Sequence, residues 1–335
     1  MTHLPPPRGP LSHAVITALR DGPDGLAHDP AALRGADPWG EDLHLALYVL
    51  YELHYRGFDS VPDDLEWHPA LLAVRRGLED AFLTALRDAV PTGRTAAEAL
   101  EDLLVEPVEA TGSVSHHLAK DGELWQVREY AALRSLYHLK EADPHAWVLP
   151  RLYGRAKAAM AAIEYDEFGA GRAERVHAQL FADLMSDLRL DPTYGRYLDR
   201  APAEALVVVN LMSLFGLHRA LRGALVGHFA TVEITSPPGS RRLAAAMRRL
   251  DAGPAAEHFY AEHVEADAVH EQVVRREVVA GLLADEPELD ADVAFGADAT
   301  VLVEDRFAAY LLDVWGQGRS ALRGEHAPAL AGHAR

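Results

Sequence analysis

Residues 258–271, HFYAEHVEADAVHE, place His263, Asp267 and His270 at intervals of four and three. An α-helix advances about 100° per residue, so these three side chains would leave one helix face within an arc of roughly 60°. Two imidazoles and a carboxylate on one helix face are typical ligands of a divalent metal ion. This stretch therefore predicts a helix that carries half of a metal site.

A second half-site lies upstream, in EYDEFGAGRAERVH (164–177), where Glu174 and His177 form the Glu-x-x-His pair of di-iron helix bundles. We predict one helix over 172–188 that carries this pair. Glu167 would lie about 20° from Glu174 around a regular helix, although the Gly-Ala-Gly segment between them can interrupt it. Glu141, at the end of the apolar stretch LRSLYHLKE, supplies a carboxylate from a separate helix. Four carboxylates and three histidines suit two ferrous or manganous ions with positions open for oxygen.

The overall charge restricts the classes of partner. Acidic residues outnumber basic ones, 51 Asp and Glu against 32 Lys and Arg, which gives a formal net charge of −19. Nucleic acid and anionic membrane surfaces both attract clustered positive charge, so neither is predicted as a partner. The chain has no cysteine, which restricts metal ligands to nitrogen and oxygen.

The sequence shows no targeting or membrane segment. The N-terminal stretch MTHLPPPRGPLSH is rich in proline and lacks the apolar core of a signal peptide. No apolar run reaches the ~18 residues that a membrane-spanning helix needs. We therefore expect a cytoplasmic protein.

Apolar residues recur every three or four positions from Glu41 onward, which is the period of amphipathic helices. The only strand-like segment, VEIT (232–235), is short and adjoins a helix. The pattern predicts an all-α protein of ten or more helices, with a helix break at Pro237-Pro238-Gly239. We divide the chain into an N-terminal arm and helical extension (1–120), a helical domain (121–320) and a flexible tail (321–335).

Four segments resemble a known family: LKEADPHAWVLPRL (139–152), EYDEFGAGRAERVHAQLF (164–181), NLMSLFGLHRALRGALVGHFATVEITS (210–236) and FYAEHVEADAVHE (259–271). They resemble the haem-oxygenase-like di-iron oxidase and oxygenase superfamily, and more narrowly the bacterial iron-containing redox enzymes. The resemblance covers roughly residues 120–320 and implies a haem-oxygenase-like helical bundle with an N-terminal helical extension. The residues that match the family's metal ligands are Glu141, Glu167, Glu174, His177, His263, Asp267 and His270.

The resemblance also implies how these residues divide. One iron would take Glu174, His177 and His270, and the other would draw on Glu141, His263 and Asp267. Glu167 completes the set.

The activity that the resemblance implies is oxidation of a small molecule by O2. The expected cofactors are two Fe(II) ions, with manganese as a substitute, and the carboxylates would occupy the space that haem fills elsewhere. Members of the family perform N-oxygenation, desaturation, oxidative decarboxylation or carbon–carbon cleavage on amine- or carboxylate-bearing metabolites. An external electron donor is a further expected partner.

Four other residues are candidates to orient the metal ligands or to contact a substrate. Arg219, Arg222 and His228 lie in the apolar stretch after residue 206, and the two arginines share a helix face if the helix is regular. They can bind a substrate carboxylate, or they can form ordinary salt bridges. Tyr165, close to Glu167 in sequence, can line the pocket or pack in the core.

Two other functions stay open at this point. The chain can be a non-catalytic helical protein that binds iron, or a metal-free oxidase of the same fold that resembles pyrroloquinoline-quinone synthase. Seven matched ligands argue against the metal-free reading. A homodimer is a further hypothesis, because the N-terminal helices offer surface beyond the bundle.

Overall fold

The computed structural model of the chain describes residues 3–26, 35–105 and 112–324. Within these residues all regular secondary structure is helical and no strand is present. The segment 232–235, which has strand-like residues, lies inside a long helix. The prediction of an all-α fold is therefore confirmed.

The α-helices are connected by short turns, several of them single turns of 3₁₀ helix. A π-helical segment, Val274–Val279, follows one α-helix and leads directly into the next, so that the three segments form one long helical stretch. In chain order the α-helices are α1 (Pro10–Asp21), α2 (Glu41–Glu52), α3 (Pro69–Ala89), α4 (Ala96–Leu103), α5 (Val114–Lys120), α6 (Leu124–His138), α7 (Asp143–Ala146), α8 (Gly154–Glu167), α9 (His177–Asp187), α10 (Ala203–Leu217), α11 (Arg222–Arg249), α12 (Pro254–Val273), α13 (Ala280–Asp285) and α14 (Asp290–Gly316).

Helices α10 and α11 form the centre of the bundle. Residues 205–216 of α10 are buried on every side, as expected for a helix that is apolar all round. Helix α11 packs against α12 and α14. At the α11–α14 crossing, a Cβ on Gly227 would lie 1.9 Å from the Val293 carbonyl oxygen, and one on Gly296 would lie 2.0 Å from that of Ala224. Two glycines therefore allow the two backbones to touch.

The predicted N-terminal arm contains an ordered helix, α1. Helix α1 buries Val15, Ile16 and Leu19 in the same hydrophobic core as the later helices. The Asp42 carboxylate accepts hydrogen bonds from the backbone N–H of Leu11 (2.9 Å) and from two groups of the next residue. These contacts fix α1 on α2. Part of the predicted arm, residues 27–34, lies outside the described residues, and the proposed domain boundary at residue 120 stays a prediction.

The predicted helix break at Pro237-Pro238-Gly239 is wrong, because α11 continues through these residues to Arg249. Neither proline has an N–H, so the carbonyls of Glu233 and Ile234 lose their usual helical donors. The adjacent Thr235 hydroxyl donates to the Thr231 carbonyl at 2.8 Å, a contact that often accompanies a bend. Packing against α12 and α14 holds the helix together across the interruption.

The end of the described chain folds back onto the bundle, including residues 321–324 of the predicted flexible tail. Glu129, on α6, accepts hydrogen bonds from Trp315 Nε1 (2.9 Å), the Ser320 hydroxyl and the Ala321 N–H (2.8 Å). Arg323 Nε donates to Glu41 at 2.7 Å. Residues 325–335 of the predicted tail lie outside the described part of the chain.

Among the described residues, no single helix is long and apolar enough to cross a membrane. Helix α10 together with the segment that begins at Arg219 passes the length and composition test only as a pair bent by 107°.

Candidate metal centre

Two groups of buried acidic and histidine side chains lie at the interface of α6, α8, α9, α11 and α12. In each group, one potential ligand atom per residue lies within 4.8 Å of the others, and all six residues are buried. Group A is Glu141, His177 and His263, and group B is Glu167, Glu233 and His270.

The residue before Glu141 is anchored to the N-terminal extension. This residue is Lys140, whose ammonium is 1% exposed and lies 3.0 Å from the Glu52 carboxylate on α2. The Tyr194 hydroxyl donates to the same carboxylate at 2.7 Å. Glu141 lies in the turn between α6, which ends at His138, and α7, and Ala142 adopts a positive φ of 74° directly before α7 begins. The N-terminal extension therefore contributes to the position of a predicted ligand.

In group A, two imidazoles contact the Glu141 carboxylate. His138 Nδ1 lies 3.0 Å from Glu141 Oε1, and His263 Nε2 lies 3.7 Å from the same oxygen. His263 Nδ1 lies 2.7 Å from the Phe259 carbonyl, which can only accept, so Nδ1 donates and Nε2 of the neutral ring has a lone pair. Burial opposes ionisation of Glu141, but His138 and His263 outweigh it and hold its pKa well below the usual range.

In group B, His270 Nδ1 lies 3.5 Å from Glu167 Oε1 and 3.5 Å from Glu233 Oε2. The other oxygen of Glu167 lies 2.7 Å from His177 Nδ1, which belongs to group A. Burial lowers the pKa of His177, but the contact with Glu167 outweighs it and raises the pKa above the ordinary value. One carboxylate therefore contacts both groups.

A fourth buried carboxylate lies beside group B. Glu164 is 2% exposed, and among the described residues neither of its oxygens has a hydrogen-bond partner. Burial, together with Glu167 and Glu233, raises the pKa of Glu164 to about 9. Buried carboxylates are normally paired or bound to a metal. Such an excess of acidic groups next to three imidazoles fits a divalent cation with nitrogen and oxygen ligands.

The structure does not bring Glu174 into either group. The helix predicted over 172–188 is present only from His177 to Asp187: α8 ends at Glu167 and α9 begins at His177, with two 3₁₀ turns between them. Ala170 has a φ of 51°, so the helical phase is lost between Glu167 and Glu174. Glu174 is exposed on the second turn. Its place among the ligands stays a prediction from the family resemblance.

The other predicted ligands divide differently from the expected scheme. His177 lies with Glu141 and His263 rather than with His270, which lies instead with Glu167. Asp267 belongs to α12, but its side chain lies outside the described residues.

Two residues of the centre were absent from the predicted ligand set. Glu233 was not among the predicted residues, although an acid within the apolar stretch ALVGHFATVEIT (224–235) was a usable signal. Glu164 lies three residues before Glu167, a spacing that places both on one helix face. That spacing alone could have indicated Glu164 as a member of the centre.

None of the four candidate substrate-contacting residues belongs to group A or group B. Arg222 forms an ion pair with Glu286, with Nε 3.1 Å from Oε2, and Arg219 is exposed. Tyr165 is 58% exposed, and its hydroxyl donates to the Ala170 carbonyl at 2.9 Å. His228 is buried, and its ring bonds to another histidine. Arg222 therefore forms an ordinary salt bridge, which was the alternative to binding a substrate carboxylate.

A cavity of about 760 Å³ adjoins both groups. Glu141 and His263 of group A and Glu167 and Glu233 of group B line it. Its size is within the range of small-molecule sites. Aromatic side chains also line it, among them Tyr137, Phe229, Phe259 and Tyr260.

The model of a family described as iron-containing redox enzymes matches residues 128–305, about half of the chain and the part that holds both groups. The chain belongs to this family. Membership supports an iron-dependent oxidoreductase, and the two buried groups of this iron-containing redox enzyme fit iron binding. A comparison with curated proteins gave no match.

Proposed function

We propose that the protein is a non-haem di-iron oxidase or oxygenase that uses O2 to oxidise a small amine- or carboxylate-bearing metabolite. The observation that supports this most is the arrangement of groups A and B, which share contacts through Glu167 and open onto one cavity. The outcome would be N-oxygenation, desaturation or carbon–carbon cleavage.

The residues of groups A and B would hold the two ions. When bound, two ferrous ions can supply two electrons to O2 and so provide the oxidising power. The protein contributes the ligand charge and the geometry. Four buried carboxylates, Glu141, Glu164, Glu167 and Glu233, match the positive charge of two divalent ions. The Phe259 carbonyl orients His263, so that its Nε2 faces Glu141.

The cavity wall determines what reaches the centre. Phe229 and Phe259 are 2% and 1% exposed to bulk solvent, and both line the cavity. Apolar aromatic walls exclude water from the reacting groups and favour an apolar part of the substrate.

Two other functions are the alternatives that experiments must separate from this one. A non-catalytic iron-binding protein would have no need for a cavity of this volume at its ligands. A metal-free oxidase of the same fold would have no need for six buried ligands. An external electron donor and a homodimer are further proposals. The mass measured by light scattering would show whether the protein is a dimer.

Iron loading tests the proposal directly. The chain should bind about two Fe(II) per molecule under anaerobic conditions, and O2 uptake should accelerate when a screen of small amines and carboxylates includes a substrate. His263→Ala should lower both the iron content and the O2 uptake. His258→Ala is the matched control, because His258 is exposed on the same helix. Full iron content in His263→Ala would reject the centre, and iron binding without O2 uptake would favour the non-catalytic alternative.

Glu174 needs a separate test, because the resemblance and the described structure disagree on it. Glu174→Gln should lose iron if Glu174 is a ligand, relative to Glu262→Gln, which alters an exposed glutamate on α12. An unchanged iron content would remove Glu174 from the ligand set and leave groups A and B in place.

A further inference from the structure

A pair of buried histidines lies next to the cavity and belongs to neither ligand group. His145, on α7, and His228, on α11, are each 1% exposed. Their Nε2 atoms lie 3.1 Å apart. His145 lines the cavity, whereas His228 lies behind it. Two buried imidazoles in direct contact must have defined protonation states, because only one of the two facing nitrogens can donate.

Thr300, on α14, determines the state of His228. The Thr300 hydroxyl has a single hydrogen and donates it to the Gly296 carbonyl at 2.7 Å. His228 Nδ1 lies 2.9 Å from the same hydroxyl oxygen. Since the hydroxyl hydrogen is already used, His228 Nδ1 must donate to it. The proton of His228 is therefore on Nδ1.

The state of His145 follows from that of His228. Burial lowers the pKa of His228 to about 4, and burial together with the neighbouring His228 holds the pKa of His145 well below its ordinary value. Both rings are neutral near pH 7, so His228 Nε2 is an acceptor. The facing nitrogen, His145 Nε2, must carry the proton and donate it. His145 Nδ1 is then left as a bare acceptor.

The surroundings of His145 direct this acceptor to the cavity. The Nε2 edge of the ring is turned to His228, and the Phe229 ring packs against it with centroids 4.8 Å apart. Tyr137, another cavity residue, lies on a further side at 6.2 Å between centroids. Among the described residues, no hydrogen-bond partner contacts His145 Nδ1. A group in the cavity is the remaining partner for this atom.

We propose that Thr300 and His228 fix His145 as a hydrogen-bond acceptor in the cavity wall, which selects a ligand that donates an N–H or O–H there. Between the amine- and carboxylate-bearing substrates of the proposed function, on which this inference rests, it favours the amine, or an alcohol. An ionised carboxylate has no hydrogen to offer and would face the lone pair of Nδ1. Thr300 and His228 are positioning residues, and His145 is the residue that contacts the ligand.

The tautomers can be observed without iron or O2. In the full-length chain labelled with ¹⁵N-histidine, long-range ¹H–¹⁵N spectra should show His145 protonated on Nε2 and His228 on Nδ1. Thr300→Val removes the hydroxyl with little change of shape and should give mixed tautomers of both rings. Thr300→Ser keeps the hydroxyl and should restore the wild-type pattern. His145 protonated on Nδ1 in the wild-type chain would overturn the proposal, whether or not the valine variant folds.

The ligand class is tested with two neutral probes of equal size on the same labelled chain. 1-Hexanol donates one O–H, and methyl pentyl ether has the same number of heavy atoms but no donor. We expect 1-hexanol to move the His145 Nδ1 resonance and to bind about fivefold more tightly, in line with one net hydrogen bond. The difference should vanish in Thr300→Val and persist in Thr300→Ser. Equal binding of both probes to the wild-type chain would reject the ligand class, while a chain that fails to bind iron would reject only the proposed function.

Discussion

Glu167 Oε2 lies 2.7 Å from His177 Nδ1, a contact that links the two groups of candidate ligands. The other oxygen of Glu167 lies 3.5 Å from His270 Nδ1. Glu233 belongs to group B, where its Oε2 lies 3.5 Å from His270 Nδ1. Loss of the two carboxylates should therefore have different effects on metal binding.

Glu167→Gln should reduce iron binding at both groups, because the amide removes a charge that both share. Glu233→Gln should leave about one of two iron ions bound per chain. Metal analysis after anaerobic loading and desalting measures both values, with Glu262→Gln on the surface of α12 as the control. Equal losses in the two variants would show that Glu167 has no special place between the groups.

The buried Glu52–Lys140 pair should be sensitive to the loss of one partner. Its side chains are 0% and 1% exposed, so Glu52→Ala leaves an unpaired ammonium in the core. We expect the free energy of unfolding to fall by about 3–5 kcal/mol. Chemical denaturation measures this.

The exposed Arg76–Asp80 pair supplies the control, with side chains 68% and 56% exposed. Asp80→Ala should change the free energy of unfolding by less than about 1 kcal/mol. Adding Lys140→Met to Glu52→Ala should recover part of the loss, because no unpaired charge then stays buried. A double variant less stable than Glu52→Ala would contradict this explanation.

The glycine contact between α11 and α14 predicts a second large effect on stability. Gly227→Ala would place a methyl group 1.9 Å from the Val293 carbonyl oxygen, so the two helices must separate. We expect a loss of about 3 kcal/mol in the free energy of unfolding. Gly239→Ala, on the same helix, meets no atom within 4 Å and should be neutral or stabilising by up to about 1 kcal/mol. Similar melting temperatures for both variants would contradict the prediction.

Acid should destabilise the protein through His44, which is far from the metal groups in sequence and buried on α2. Burial lowers the pKa of His44 to about 4, against 6.5 for an exposed imidazole. Its Nε2 donates to the Pro38 carbonyl at 2.9 Å, and Asn210 Nδ2 donates to its Nδ1 at 3.1 Å, so the folded state holds the neutral ring.

Between pH 6.5 and 4 the unfolded chain therefore binds a proton that the folded chain does not. The contribution of His44 to stability is complete above pH 6.5 and falls by roughly 3 kcal/mol as the pH drops to about 4. Denaturation of His44→Gln across this range should show a shallower dependence on pH than the wild-type chain. An identical dependence would mean that His44 is protonated in the folded state.

The helical class and five of the six buried residues of groups A and B, all except Glu233, could be predicted from spacing and resemblance. His263 and His270 lie on one helix as predicted, seven residues apart. Prediction failed where the helical phase was interrupted. The positive φ of Ala170 separates Glu174 from Glu167, and no periodicity of side chains reports such a change of backbone.

Contacts between segments that are distant in sequence could not be predicted from the sequence either. The proline pair in α11 has the local signature of a break, but tertiary packing on both sides overrides it. The same helix carries Glu233 to His270, 37 positions later in the chain, and spacing within one helix cannot indicate such a pair. The relation of Thr300, His228 and His145 likewise joins three helices and required the structure.

The hydrogen bonds of Glu129 have a consequence for the order in which the protein is completed during synthesis. Its buried carboxylate bonds to groups that follow it by 186 to 192 residues, after every candidate metal ligand has been made. Until those groups leave the ribosome, the Glu129 carboxylate lacks these partners and must stay hydrated. Burial of α6 in the bundle is therefore unfavourable at that stage. We therefore expect the centre to be complete only after residue 321 has been made, and a chain truncated after Gly316 should be incompletely folded.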